Sequence, residues 1–546
     1  MVSKSIPVLD EADLKDGQMK EVDFESGKVL LSRLGDKIHA TSAFCTHYGA
    51  PLANGVLTYE GRIVCPWHGA CFKAGSGDIE DAPAPDALHS FKTYVEAGKI
   101  YVTADPEHTL KSNMARPPVL VGYNADYVNK GLVIVGGGSG AFYTVESLRQ
   151  HGYKLPITIL TEEKHLPIDR QVATKLSKTL TIDPSKLEWR NAAELKIKFN
   201  TVVRTGVKVS SIDFTEKKVL LEGNAKEMLS YETLVLASGG QAIALPSLAG
   251  SFANVSTFRT VDDARKVDAA AKEGSRLLII GSSFIGMELA AAVSKRKLAS
   301  VDVVSNEPVP FSHILGEEVG RGLMKYHESQ GVRFHMDHTV EKLLPKEEEV
   351  FAGSAVLDNG ETIPCDFVVF GIGVKPATEY LKNSNGGPFL EKDGSVKVDQ
   401  YLRVPGVDGV YAIGDIATYP QAETGEHIRI EHWNVAGNHG RAIGKTISGN
   451  PEPFAKVPIF WSAQGQQLRY CGLGKDYDDV IIKGDPGEMK FIAYYVKGPQ
   501  VVAVASMQND PVVTKSSELM RLGMMPSADE LRAGKDVLSI DISTAR

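Results

Sequence analysis

With 546 residues the chain exceeds what one hydrophobic core organises, so several domains are expected. A content of 43% apolar and 23% charged residues is that of a globular protein, and a net charge of -8 with no basic run speaks against a nucleic-acid partner. No apolar run reaches bilayer-spanning length, the opening MVSKSIPVLDEADLKDG lacks both an apolar core and an Arg-rich character, and five scattered cysteines fit a reducing compartment; the cytoplasm is expected, with the mitochondrial matrix as the alternative.

In chain order, residues 1–108 read as short strands broken by Gly and Pro (KVLLSRL at 28–34, KIHATSAF at 37–44, KTYVEAGKIYV at 92–102), an all-β unit. A polar, Pro-containing linker is expected over 109–130. From 131 apolar strands alternate with helical patterns, the sign of a parallel α/β architecture. Two strand–turn–helix segments look alike, GLVIVGGGSGAFYTVESLRQ at 131–150 and SRLLIIGSSFIGMELAAAVSK at 275–295, so two nucleotide folds are expected. The organisation that follows is a first nucleotide domain in two parts (131–255 and 376–455), a second nucleotide domain between them (256–375), and a small α+β domain over 456–546 with strand-like runs and a helical tail.

Inside the β unit, FCTHYGAPL (44–52) and VCPWHGACF (64–72) each offer one cysteine and one histidine: Cys45, His47, Cys65 and His68. A zinc ion is one occupant such a set allows. Zinc-finger spacing, however, pairs the cysteines in one arm and the histidines in the other, whereas a Rieske [2Fe–2S] centre takes two cysteines on one iron and two histidines on the other, as two mixed loops deliver. Over roughly residues 5–105 the sequence resembles the Rieske family. In the respiratory branch of that family each loop carries an extra cysteine, and Ser and Tyr hydroxyls donate to cluster sulfur; here Ala50, Trp67, Ala70 and Phe72 stand at those positions. The resemblance therefore implies a potential toward the low end of about -150 to +300 mV. Cys71 is expected to be a small buried apolar residue.

The turn Gly136-Gly137-Gly138-Ser139-Gly140-Ala141 follows the strand LVIV and opens a helix, matching G-x-G-x-x-G/A; a pyrophosphate needs close backbone approach and faces the helix N-terminus. Glu162, with Glu163 beside it, ends the next strand where a carboxylate accepts ribose hydroxyls. GVYAIGDIA (409–417) resembles the second flavin motif of FAD-dependent pyridine-nucleotide oxidoreductases, which implies that Gly414 and Asp415 hold the ribityl chain. LVLASGG (234–240) is similar to their crossover strand and implies Ala237 near the cofactor. Three motifs in order imply FAD.

The second fingerprint, Gly281-Ser282-Ser283-Phe284-Ile285-Gly286, carries Ser283 in place of a glycine. Glu288 and Gly371-Ile372-Gly373 fit the nicotinamide half of the same family, with Gly373 a binding candidate. Glu307 lies just past the strand VDVV, and no Lys or Arg occurs between Lys297 and Arg321 to pair with a 2′-phosphate, so NADH is expected over NADPH.

A redox cysteine pair of the disulfide reductases is absent, since only Cys365 and Cys471 lie outside the β unit. HLPIDRQVATKLSK (165–178) resembles the ferredoxin-reductase stretch P-Y-x-R-P-P-L-S-K, implying that Arg170 approaches the flavin and Lys175 its N5. IEHWNVAGNHGRAIGKTISG (430–449) resembles the segment beside the isoalloxazine, which implies catalytic positions for Lys175, Glu431 and Trp433, with Trp461 approaching from the C-terminal part. From about residue 5 to 510 the chain resembles the AIF-like proteins, which fuse a Rieske domain to a ferredoxin-reductase-type flavoprotein. The resemblance implies an NAD(P)H-dependent oxidoreductase passing electrons through FAD to its own cluster and on to an acceptor that the sequence does not name. A reductase component of an oxygenase system and an NADH-sensing signalling protein are the alternatives; the oligomeric state is open.

Overall fold

A computed structural model describes residues 3–117, 131–170, 183–223, 227–250, 252–346, 350–388 and 390–544. The chain opens with a six-stranded antiparallel sheet in the order Lys4–Asp10, Lys99–Ala104, Ser90–Glu96, Lys37–Ser42, Gly27–Leu34, Met19–Phe24. Alternation fixes its two faces: Val29 and Leu31 pack with Phe24, Ile100 and Val102, while Leu30 between them points the other way, into a core with Leu52, Ile63 and Phe72. That second core also contains Cys45 and Cys65. A four-stranded sheet (Val56–Leu57, Arg62–Val64, Cys71–Lys73, Ile79–Asp81) carries the second Cys/His loop between its middle strands.

Of the stretch read as a linker, residues 109–117 are described, and they are more structured than composition suggested. Lys111–Asn113 is a 3-10 turn, and Ala115–Arg116 pairs with Ala87–Leu88 because Arg116 donates to the Ser76 carbonyl at 3.0 Å and meets Asp78.

Two parallel five-stranded sheets follow. The first runs Thr201–Arg204, Ile157–Leu160, Leu132–Val135, Thr233–Leu236, Val410–Ala412; the second runs Val255–Thr257, Phe367–Phe370, Arg276–Ile280, Ser300–Ser305, Val332–Met336. Their central strands are buried along nearly their whole length, as covered parallel strands must be, which is why LVIV and RLLII read as continuous apolar runs. Each feeds a helix, Ser139–Gln150 in the first half and Phe284–Val293 in the second.

The C-terminal part is a five-stranded antiparallel sheet in the order Ile459–Ala463, Gln467–Gly472, Gln500–Met507, Lys490–Lys497, Asp479–Asp485, backed by the Val512–Arg521 helix. Ile459, Cys471 and Val504 share one core with Val56, Val64 and Cys71, so this sheet is packed on the N-terminal β unit. Among the described residues no helix is long and apolar enough to cross a membrane.

Candidate functional site

A cavity of about 1180 Å³ opens at the carboxyl ends of the first parallel sheet. Its floor is the 136–140 turn. Gly136 has φ +117°, and a Cβ there would lie 2.0 Å from the Ala237 carbonyl oxygen; one at Gly137 would lie 2.7 Å from Thr161 Oγ1. Glycine is thus needed for strand-to-strand closeness as well as for ligand approach. Gly138 and Ser139 line the cavity where the helix begins without a side-chain cap, leaving its first amides to a ligand. Ala141 is wholly buried and does not line the cavity.

Glu162, Glu163, Arg170, Ala237, Gly414, Asp415, Glu431, Trp433 and Trp461 are all in the wall. Arg170 donates to Glu163 at 2.5 Å, and Arg259, which no local motif pointed to, donates to Asp415 at 2.8 Å. His432 is a further wall residue from inside the 430–449 segment; burial lowers its ring to about 4, so it is a neutral group. Burial also raises the Glu431 carboxyl, against the pull of Arg429. Lys175 lies outside the described residues.

The second fingerprint contributes differently along its length. Phe284, Ile285 and Glu288 line the cavity, whereas Gly281, Ser283, Gly286, Gly373 and Glu307 do not. A Cβ at Gly281 would lie 2.5 Å from the Gly371 carbonyl oxygen and one at Gly286 2.3 Å from that of Gly281, so these glycines let strand, turn and helix meet. Gly373 has φ +98°, a conformation that favours glycine. Glu288 accepts from Ser462 Oγ at 2.6 Å and the Ala463 amide at 3.2 Å, tying the helix to the C-terminal sheet. Glu307 accepts the Ser312 amide at 3.1 Å and its hydroxyl at 2.6 Å.

The two Cys/His loops are built alike. Cys45 donates its amide to Ala50 and accepts from that of Gly49, at 2.9 and 2.8 Å; Cys65 does the same with Ala70 and Gly69, at 2.8 and 3.2 Å. Gly49 and Gly69 have φ +72° and +70°, the left-handed turn both loops require. The thiols are buried against each other. Burial pushes Cys45 up well above the ordinary thiol range; at Cys65 the same penalty is outweighed by the hydrogen bond with Cys45 and the amides of Trp67 and His68, and its thiol is lowered. His47 Nδ1 and His68 Nδ1 face each other at 3.0 Å. The two thiols therefore meet each other, as do the two imidazoles. This donor chemistry fits a two-iron cluster rather than zinc. Ala50, Ala70 and Phe72 are buried and offer no hydroxyl; Cys71 is buried beside Glu80, its thiol pushed up by burial.

Trp433 and Trp461 join the two halves of the site. Both line the cavity, and on their other side Trp461 lies 4.2 Å from His68 and Trp433 6.2 Å from His47, between ring centroids.

One dinucleotide turn on the cavity floor, a second whose following residues Phe284 and Ile285 reach the same cavity, and a histidine pair against that cavity's aromatic wall define a flavoprotein reductase with a fused iron–sulfur domain. The pyridine nucleotide-disulphide oxidoreductase family matches residues 130–440, the Rieske [2Fe-2S] domain 4–92 and the reductase C-terminal domain 459–538. Apoptosis-inducing factor 3 of Homo sapiens is 39% identical over 515 residues, 94% of this chain and 83% of the relative. The anthranilate 1,2-dioxygenase system ferredoxin--NAD(+) reductase component of Burkholderia cepacia is 29% identical over 406 residues, 73% of this chain and 96% of the relative. Among solved structures, the ferredoxin reductase for the CYP199A2 system from Rhodopseudomonas palustris matches with a TM-score of 0.69 and 28% identity, covering 74% of this chain and 97% of that one. The chain belongs to the pyridine nucleotide-disulphide oxidoreductase family, in the AIF-like group that carries a Rieske domain. It is an NAD(P)H-dependent flavoprotein oxidoreductase with FAD and a [2Fe–2S] cluster, carrying electrons from NAD(P)H to that cluster.

Proposed function

We propose that Cys45, Cys65, His47 and His68 hold the cluster, that the cavity holds FAD between the 136–140 turn and Asp415, and that NADH enters along Phe284, Ile285 and Glu288. A bound FAD would supply the conversion between a two-electron hydride donor and the one-electron cluster. The chain's own residues supply binding and placement. The amides at the start of the Ser139–Gln150 helix receive the pyrophosphate, Glu162 and Asp415 accept ribose and ribityl hydroxyls, and Glu431, His432 and Trp433 wall off the reacting face from water. Arg170 approaches the flavin, and Lys175 belongs to the same reading as the cation that tunes N5. Around the nicotinamide dinucleotide, Gly281, Ser283, Gly286 and Gly373 shape the backbone. Glu307, which accepts from Ser312, is the carboxylate assigned to the ribose in this half, and with no Lys or Arg between Lys297 and Arg321 to pair with a 2′-phosphate the reading favours NADH over NADPH.

The observation that carries this reading is the indole layer: Trp433 and Trp461 border the cavity on one side and the two histidines on the other. The Burkholderia relative is by its name a ferredoxin–NAD(+) reductase component of a dioxygenase system. In this chain the fused Rieske domain occupies the receiving position of such a ferredoxin, and the next acceptor is external to it. Anaerobic titration of the purified protein with NADH is expected to bleach the flavin and raise a Rieske EPR signal, at lower concentrations than NADPH requires. Bleaching with no Rieske signal would refute the internal relay; equal potency of the two nucleotides would refute the assignment of Glu307.

A further inference from the structure

The donor set is flanked by two buried side chains of opposite charge, and neither comes from the Rieske domain. Asp169, 6% exposed, follows the first parallel sheet's Ile157–Leu160 strand. Its backbone is fixed by donation to the Leu187 carbonyl at 3.0 Å, its carboxylate accepts the Tyr48 hydroxyl, and Oδ2 stands 4.0 Å from His47 Nε2. Asp169 falls at the variable position of the 165–178 segment, so the residue that reaches across to the other domain is one the flavin motif leaves free.

Arg469, also 6% exposed, lies on the C-terminal sheet. It is the direct cross-strand partner of Trp461, so the two side chains leave the same face, and the Trp461 ring is 4.2 Å from His68. Arg469 donates to Asp510 at 2.7 Å, but its Nε is buried and has no hydrogen-bond partner among the described residues. A guanidinium buried at this cost has Asp510 as its direct counter-charge, and it stands beside the indole that lies against His68.

We propose that the flavoprotein half sets the reduction potential of the cluster from outside the Rieske domain, Arg469 raising it from beside Trp461 and Asp169 lowering it from beside His47. The proposal rests on the reading that the four donors hold a [2Fe–2S] cluster. Reduction adds one negative charge to the centre. A buried cation beside the centre stabilises the reduced form, while a carboxylate against a ligating imidazole makes that ligand a stronger electron donor and stabilises the oxidised form. With Ala70 and Phe72 in place of hydroxyl donors, hydrogen bonds from those two side chains do not contribute to the adjustment.

The test is a mediated redox titration of the full-length, cluster-loaded protein, read by the Rieske EPR signal. Asp169→Asn is expected to raise the midpoint and Arg469→Met to lower it, each by about tenfold in the one-electron equilibrium constant, or about 59 mV. Arg469→Lys and Tyr48→Phe, which keep the charges, are expected to stay near wild type. Should Arg469→Met fail to fold, Asp510→Asn removes the counter-charge and is expected to raise the midpoint. Midpoints of Asp169→Asn and of Arg469→Met or Asp510→Asn that stay within about twofold of wild type, or move against these signs, would overturn the proposal. A wild-type protein with iron but no Rieske signal would instead overturn the cluster reading on which it rests.

Discussion

His439 and His327 are among the most buried titratable side chains, at 0% and 1% exposure. His439 Nδ1 accepts the Gly414 amide at 3.1 Å, which places its proton on Nε2, and burial lowers the ring to about 3. His327 Nε2 meets Gln464 Oε1 at 3.1 Å and is lowered to about 4 by the same cause. In the unfolded chain both rings take up a proton near pH 6.5. Between pH 6.5 and their folded values the unfolded state therefore binds more protons, so stability is full above 6.5 and is lost as the pH falls. For His327 the loss amounts to about 3 kcal/mol. Calorimetry is expected to show the melting temperature declining from pH 6.5 to 4, and the double variant His327→Gln, His439→Gln to flatten that decline; an unaltered slope would mean that other groups govern it. At this scale the sequence was legible where chemistry dictates residue type: two cysteines, two histidines and an Asp after a Gly have few substitutes. Arg259, Asp169 and Arg469 were not legible, because each acts on a group far away in the chain and no local spacing records that contact.

The helices Ser139–Gln150 and Trp433–Ile447 show the same division between elements. They pack through Gly437, Gly440 and Gly444, three glycines on one face of the second helix. A Cβ at Gly440 would lie 2.4 Å from the Gly140 carbonyl oxygen, and one at Gly444 2.4 Å from Ser147 Cβ. Ser139 Oγ donates to the Trp433 carbonyl at 2.8 Å, so this close approach sets the indole against the dinucleotide turn. The first helix was readable from the strand, Gly-rich turn and helix pattern over 131–150, and the family resemblance marked 430–449 as flavin-facing. The glycine spacing of i, i+3 and i+7 was also present in AGNHGRAIG, but its meaning depends on which helix lies opposite. Gly440→Ala must push the helices apart, because the obstacle is backbone. It is expected to cost about 1–3 kcal/mol and to weaken FAD retention, measured by thermal melting and by flavin release on dilution.

The whole molecule is held together by charged groups buried between its parts. Arg62 meets Glu80 at 2.9 Å, Asp81 at 2.6 Å and Glu518 of the C-terminal part at 3.4 Å; Lys456 also meets Asp81, at 2.7 Å. Desolvation alone would raise the Asp81 carboxyl, yet Lys456 and Arg62 together hold it far below the usual carboxylate range. On the other flank Arg190 joins Asp86 to Glu146 of the flavin half, at 2.5 and 3.1 Å, and Arg441 donates to the Glu80 carbonyl at 3.1 Å. Surface ion pairs are screened by salt, but pairs this buried are not, so the docking that brings His47 and His68 to the indole layer is insensitive to ionic strength. Transfer between separate proteins steered by surface charge slows as salt rises. Flavin-to-cluster electron transfer in this chain is therefore expected to be first order, independent of protein concentration and unchanged between about 0.05 and 0.5 M salt, as read by stopped-flow absorbance. Arg62→Ala removes the cation shared by Glu80, Asp81 and Glu518, leaving each carboxylate one partner, Lys73, Lys456 and Arg521 in turn. It is expected to cost about 3–5 kcal/mol and to slow the cluster phase while flavin reduction keeps its rate. A cluster phase that falls with salt in the wild type would mean that the Rieske domain docks through its surface and not through this buried network.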